Sequence, residues 1–242
     1  LIYKDIYEGI FRARPNRFIA EVEMNGKIER CHVKNTGRCK ELLVPGAKVI
    51  LHRPDNVSHT QRVTAYDLIA VWKGERLINM DSQAPNRVFL EYLQSGKYCD
   101  NIACDKDLTF VKSEVAMGSS RLDFYVETAS DKIYIEVKGV TLEENGVALF
   151  PDAPTERGIK HLNELVQCVR KGYEAQIVFV IQMRDVRYFM PNVRTHPAFG
   201  AALAEAADAG VRVLALDCAV MPHSLTIGEI VPVKISNGTI CP

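Results

Sequence analysis

Along the first third of the chain, apolar and polar residues alternate in short runs broken by turn residues. "RFIAEVEM" (17–24) sets Phe18, Ala20 and Val22 against polar partners, and Asn25-Gly26 follows before "KIERCHV" returns. Period-two alternation on both sides of Asn-Gly predicts a β-hairpin. Beyond Asn35-Thr36-Gly37 and Pro45-Gly46 come "AKVILHR" (47–53), "VTAYDLIAVW" (63–72), Gly74 and "RLIN". Four or five strands with no helical period between them predict a small barrel or sandwich, an OB-like barrel among the options. Phe18 and Trp72 read best as core.

The period then changes. "APNRVFLEYLQSG" (84–96) carries an incomplete helical stripe at Val88, Leu90 and Leu93, with Gly96 as its stop. Strands are expected at 109–117, 121–128 and 132–138, with a turn at Asp131. A loop, a helix over 155–171, a strand at 176–182, a helix over 197–209 and a strand at 211–217 follow. In the helix over 155–171, Ile159, Leu162, Val166 and Val169 step at helical spacing and Thr155 is a suitable N-cap. The opposite face is expected to carry Arg157, His161 and Glu164. The order predicts an α/β (α+β overall) protein of two domains: residues 1–82, a small β-barrel, and 83–242, an α/β domain.

Composition is that of an ordinary globular chain, 47% hydrophobic and 25% charged over 242 residues. No apolar run approaches the roughly 20 residues of a membrane span. The opening "LIYKDIYEGIFRARPNRF" is too charged for a secretory signal. The seven cysteines form no Cys-x-x-Cys pair, and Cys99 and Cys104 lack a second pair to complete a zinc site. Reduced thiols in a cytoplasmic protein with no membrane attachment are the expectation. Net charge is zero, yet residues 10–40 hold 8 Lys/Arg against 3 Asp/Glu. That is a candidate phosphate-facing surface or, on charge counting alone, a solvated basic face.

The chemistry lies in the strands. Glu114 in "VKSEVAMG", Asp123 in "RLDFYV" and Glu136 in "YIEVK" each sit in a separate expected strand, with Lys138 two residues past Glu136. Strand side chains alternate, so Glu136 and Lys138 share a face. Glu-x-Lys alone reads equally well as an exposed ion pair, worth about 0–1 kcal/mol. Three neighbouring strands would bring three carboxylates to one face, and such a cluster calls for a divalent cation. Hard oxygen ligands favour Mg²⁺ or Mn²⁺. The lysine would then assist a water or stabilise charge on phosphorus.

"RLDFYV", "YIEVKGVTL", "FPDAPTERGIKHLNEL" and, upstream, "CHVKNTGRCKELLVPG" together resemble the sugar fermentation stimulation protein A family. The resemblance runs from about Arg17 to about Leu216. It implies a bacterial or archaeal DNA-binding protein with an N-terminal OB-like domain and a C-terminal domain of the PD-(D/E)xK nuclease type. It assigns Asp123, Glu136 and Lys138 to the nuclease pattern, as catalytic residues, and Glu114 to the additional upstream acid. The metal ligands would be Glu114, Asp123 and Glu136. Leu122 stands where that pattern has its proline.

Other residues complete the expected footprint. A Pro-Asp-Ala-Pro loop opening a helix presents free N–H groups suited to phosphate, with Thr155, Arg157, Lys160 and His161 in reach. Equally, Asp152 and Thr155 could serve only to cap the helix with the cations solvated, and His161 could hydrogen-bond within the fold. In the first domain Asn35, Thr36, Gly37, Arg38 and Lys40 form a donor-rich loop, to which Arg12, Arg14 and Arg17 add. Tyr7, Phe11, Phe18, Tyr66 and Trp72 are candidate stacking platforms or barrel core. Asn79, Asp81 and Asn86 are polar enough to face the cleft. The sequence thus points to a sequence-nonspecific DNA-binding protein of regulatory kind, with a nuclease-like Mg²⁺ or Mn²⁺ site and no organic cofactor. The alternative is an active metal-dependent DNA endo- or exonuclease. An OB module for carbohydrate or RNA leaves the acidic strands unexplained.

Overall fold

The computed structural model describes residues 1–35, 37–54, 63–102, 107–118, 120–235 and 240–241. Thr36 and Cys104 lie outside the described residues.

Five strands build the N-terminal barrel: β1 (Ile6–Asn16), β2 (Ile19–Met24), β3 (Lys27–Val33), β4 (Lys48–His52) and β5 (Tyr66–Lys73), with β6 (Arg76–Asn79) as a hairpin extension. β1 pairs with both β2 and β4, β4 with β5, and β3 closes the circle by running parallel to β5. This is an OB-like closed barrel. Its axis is filled by alternating inward residues such as Phe11, Ala20, Val22, Leu51 and Leu68. β1 is longer than the pattern suggests, because polar residues and Pro15 mask its alternation. Phe18, expected as core, sits in the β1–β2 turn, 42% exposed, with the Arg17 guanidinium 4.6 Å from its ring centroid. Trp72 is half-buried on the outside of the barrel, packed against the core beside it.

The second unit opens with α1 (Ala84–Gln94) and α2 (Lys97–Ile102). Then follow β7 (Phe110–Met117), β8 (Ser120–Glu127), β9 (Lys132–Val140), β10 (Leu142–Glu144), β11 (Val147–Phe150), α3 (Glu156–Arg170), β12 (Glu174–Ile181), β13 (Tyr188–Pro191), α4 (Pro197–Asp208), β14 (Arg212–Met221), β15 (Ser224–Ile230), β16 (Val233–Lys234) and β17 (Ile240–Cys241). The main sheet has the order β15-β14-β12-β9-β8-β7, antiparallel through β7, β8 and β9 and parallel from β9 through β12 to β14. α1 covers one face over Phe124, Ile133, Ile135 and Val137. α3 and α4 cover the other over Phe179. The expected loop after β9 contains the β10–β11 hairpin, whose Asn145-Gly146 turn has φ of 50° and 80°. No helix among the described residues is long and apolar enough to cross a membrane.

Two latches bind the barrel to the second unit. At the joint Gln182 Nε2 donates to Asn79 Oδ1 at 2.8 Å and to the Asp81 carbonyl at 3.1 Å, with Asp81 itself held from the barrel side by Lys34 Nζ at 2.8 Å. Farther out, Lys73 Nζ and Arg76 meet Glu143 of β10 at 2.7 and 3.1 Å. Buried polar groups persist when each is partnered, and these are. The first residues of the chain also join the sheet, where Ile2 bridges Ser224.

Candidate metal and nucleic-acid site

β8 and β9 carry the centre. One step beyond the Phe124–Ile135 rung, Asp123 and Glu136 stand side by side on the face that α3 partly covers. Asp123 Oδ2 accepts from the Val137 N–H at 2.8 Å, and Oδ1 accepts from Asn86 Nδ2 at 2.7 Å. Asn86 reaches it because α1 begins hard against β9: a Cβ on Gly139 would lie 2.7 Å from both Pro85 Cγ and Gln182 Oε1. Asn86 reads from the sequence only as polar enough to face the cleft, and no local pattern marks its partner.

Glu136 is 2% exposed. Its Oε1 is bonded by Lys138 Nζ and by His161 Nδ1. Its Oε2 is buried without a hydrogen-bond partner. Arg157 Nε donates to His161 Nε2 at 3.4 Å, so Nε2 is the acceptor and Nδ1 carries the proton given to Glu136. Lys138 Nζ, 3.3 Å from the same Nδ1, is then a neighbour of the ring and a donor to Glu136. Burial would raise Glu136, but the His161 hydrogen bond and Lys138 outweigh it and hold the carboxyl below its ordinary value. Burial, then the Glu136 charge, push Asp123 above its ordinary value against the Val137 N–H, Lys138 and Asn86. Two adjacent carboxylates driven in opposite directions are a functional arrangement more often than a structural one.

Three expectations are corrected. Glu114 does not join the pair. Between the Ser113–Phe124 and Val115–Leu122 rungs it takes φ of 53°, which turns its side chain off the pleat. Its carboxylate is bonded to Arg121 at 3.1 Å, the two side chains being 74% and 66% exposed. Among the described residues no group of three or more His, Cys, Asp or Glu is placed to hold a metal ion. His161, expected on the outer face of its helix, is buried against Glu136 because α3 turns that face to the sheet. Arg14 is not a free phosphate donor: its guanidinium donates to the carbonyls of Arg17, Asn35, Gly37 and Arg38 at 2.6–2.9 Å.

Arg14 thereby shapes the loop after β3. Asn35 Oδ1 accepts from the Gly37 N–H at 2.7 Å, and a Cβ on Gly37 would come within 2.7 Å of Asp152 Oδ2. The barrel loop thus touches the loop that leads into α3. Between them lies a polar cavity of about 140 Å³ lined by Asn35, Ser82, Gly139, Thr141, Asp152 and Gln182. Arg38 and Lys40 are exposed in the barrel loop, and Arg157 and Lys160 on the first turns of α3. Thr155 caps α3, its Oγ1 accepting from the Gly158 N–H at 3.0 Å. Arg12 is paired with Glu23 at 2.9 Å on the barrel exterior, and Arg17 is exposed. Of the proposed platforms, Phe11 is barrel core, while Tyr7 and Tyr66 stack edge-on at 5.3 Å. The thiols of Cys31, Cys39 and Cys168 are buried, pushed up to about 12, 12 and 11 mainly by that burial, and are not nucleophiles.

Comparison with known proteins agrees with this architecture. Residues 13–80 match the family model of the SfsA N-terminal OB domain, and residues 83–224 that of the sugar fermentation stimulation protein RE domain. A sugar fermentation stimulation protein homolog of Desulfitobacterium hafniense (strain Y51) is 57% identical over 236 residues, covering 98% of this chain and 99% of its own. One from Ruminiclostridium cellulolyticum is 54% identical over 233 residues, covering 96% and 99%. The solved structure of Pyrococcus furiosus SfsA in complex with Ca²⁺ superposes with a TM-score of 0.83 at 27% identity, covering 97% of this chain and 98% of that one. Barrel, sheet domain and full-length relatives agree: the chain belongs to the sugar fermentation stimulation protein family.

Proposed function

We propose that this protein binds DNA across the joint between barrel and sheet and hydrolyses phosphodiester bonds at Asp123, Glu136 and Lys138 with a divalent cation. The observation that carries the reading is the buried, unpartnered Oε2 of Glu136 beside the Asp123 carboxylate. An orphaned anionic oxygen in the interior is costly, and a hard cation satisfies it together with Asp123. The relative solved in complex with Ca²⁺ supports a divalent cation; its place at these residues and Mg²⁺ or Mn²⁺ as the working ion are what we propose here. Such an ion supplies charge neutralisation and Lewis acidity at the phosphate.

The chain's own residues do the rest. His161 fixes Glu136 by its Nδ1–H and is itself held by Arg157. Asn86 and the Val137 N–H hold Asp123 in register with it. Lys138 places its ammonium where charge builds on a phosphoryl oxygen. Arg38, Lys40, Arg157 and Lys160 serve as backbone contacts, and Arg14 contributes by ordering the loop that bears two of them.

A second reading, DNA binding without turnover, is favoured by the outward turn of Glu114, which leaves two carboxylates rather than three. One experiment separates them. Single- and double-stranded DNA are incubated with wild type and with Lys138→Ala, with and without Mn²⁺. Cleavage that needs Mn²⁺ and is lost in Lys138→Ala supports hydrolysis. Retention of DNA without cleavage supports the second reading, and no retention overturns both.

A further inference from the structure

On the face that bears the acids, the sheet carries a row of aromatic rings. Tyr125 lies two residues from Asp123 along β8, and Tyr134 two residues from Glu136 along β9. Residues two apart share a face and are about 7 Å apart. Tyr125 and Tyr134 are cross-strand partners with ring centroids 4.9 Å apart. Tyr134 meets Tyr173 at 5.2 Å, and Phe110 extends the row from Tyr125 at 6.3 Å. Tyr134 and Tyr173 pack partly against the core under α3, which makes that end rigid. Toward β7, the sheet edge, cover runs out, and Phe110 is 46% exposed.

The rim of the row is basic. Lys112 stands directly across from Tyr125, and Lys132 lies two residues before Tyr134 on the same face. Lys171 closes the far side just before Tyr173. All three are exposed. Glu127, the carboxylate beside the rings, accepts from the Tyr125 hydroxyl. Rings flanked by cations, leading to a phosphodiester centre, match an unpaired strand: bases stack on the rings while phosphates meet the lysines. Duplex DNA offers neither free base faces nor that geometry.

We propose that Phe110, Tyr125, Tyr134 and Tyr173 form a stacking platform for unpaired bases, so that the substrate class of the neighbouring centre is single-stranded DNA. The proposal rests on the DNA reading above and narrows it. The test is fluorescence polarisation in EDTA, which prevents cleavage, with labelled oligothymidine and a hairpin duplex. Wild type is expected to bind the single strand more tightly. Phe110→Leu, at an exposed edge position where folding is little affected, and Tyr125→Leu are each expected to weaken single-strand binding about five-fold or more, the loss of one base stack. Tyr125→Phe is expected to keep wild-type affinity, and duplex binding is expected to be unchanged in all three. Equal weakening on both DNAs, no weakening in the Leu variants, or wild-type preference for the duplex overturns the platform. Wild type that binds neither DNA removes the DNA reading itself, a result seen before any variant is made.

Discussion

Asp123→Asn tests the centre most directly, because it makes the protein stronger in one condition and weaker in another. Asp123 receives two hydrogen bonds, from the Val137 N–H and from Asn86 Nδ2. An amide at position 123 keeps the first with its oxygen. It keeps the second if Asn86 turns its own amide over, so no buried donor is stranded. What disappears is a negative charge beside Glu136. Burial and Glu136 raise Asp123, so at neutral pH its ionised form is less favourable in the folded than in the unfolded chain. The metal-free variant is therefore expected to melt above wild type at pH 7. That gain is expected to vanish below the ordinary aspartate value, where the wild-type carboxyl is protonated in both states. With Ca²⁺ at a hundred times its Kd, wild type gains about 2.7 kcal/mol, a Tm rise of about 5–11 °C for a chain of this size, and the variant gains none. Calorimetry at pH 7 with and without Ca²⁺ reads both effects. A lower metal-free Tm, or a Ca²⁺ response that survives the substitution, refutes the account.

Arg14→Ala removes the donor to four loop carbonyls; a loss of at least about 1.5–3 kcal/mol is expected in urea unfolding, the worth of one charge-assisted bond, together with weaker DNA binding. Unchanged stability would show that the loop holds itself. Gly139→Ala drives a methyl into Pro85 and the Gln182 amide, and an overpacking cost of about 1–3 kcal/mol is expected as a lower Tm. His161→Leu removes a hydrogen bond that holds Glu136 low. Stability from a lowered carboxyl is lost as pH falls through its folded value, so the acid limb of the Tm–pH profile is expected to move to higher pH; a superimposable profile would remove His161 from that role. Salt titration of DNA affinity is expected to give a steep inverse dependence, and a flat one would exclude phosphate contacts as the main attraction.

The centre was legible where chemistry and strand period coincide. Asp123, Glu136 and Lys138 are polar intrusions at the right parity in apolar strands, and Thr155 announces its helix by its own side chain. Legibility failed where backbone conformation or a distant partner decides. Nothing local says that Glu114 takes a left-handed φ, and no sequence pattern pairs Arg14 with carbonyls more than 20 residues away. His161 reads as outward-facing by its polarity, yet its position turns it to the sheet. Three residues on, Glu164 is half-buried too, so that side of α3 is less exposed than its charges suggest. The Asn145-Gly146 hairpin had a readable turn, but its strands are too short to show alternation. In the barrel, the closing β3–β5 contact joins strands distant in sequence, so it follows from topology alone.

The joint at Asp81 carries a consequence for how the protein can be divided. Asp81 is wholly buried, Asn79 and Gln182 nearly so, and their partners come from both sides of the residue 82–83 boundary. A barrel expressed alone would leave Asp81 and Asn79 without Gln182, and a sheet domain alone would strand Gln182. The two halves are therefore expected to melt in a single transition and to resist separation into working fragments. The spacing between the basic loop and the acids is then a fixed gauge, set by the buried joint rather than by anything that binds there.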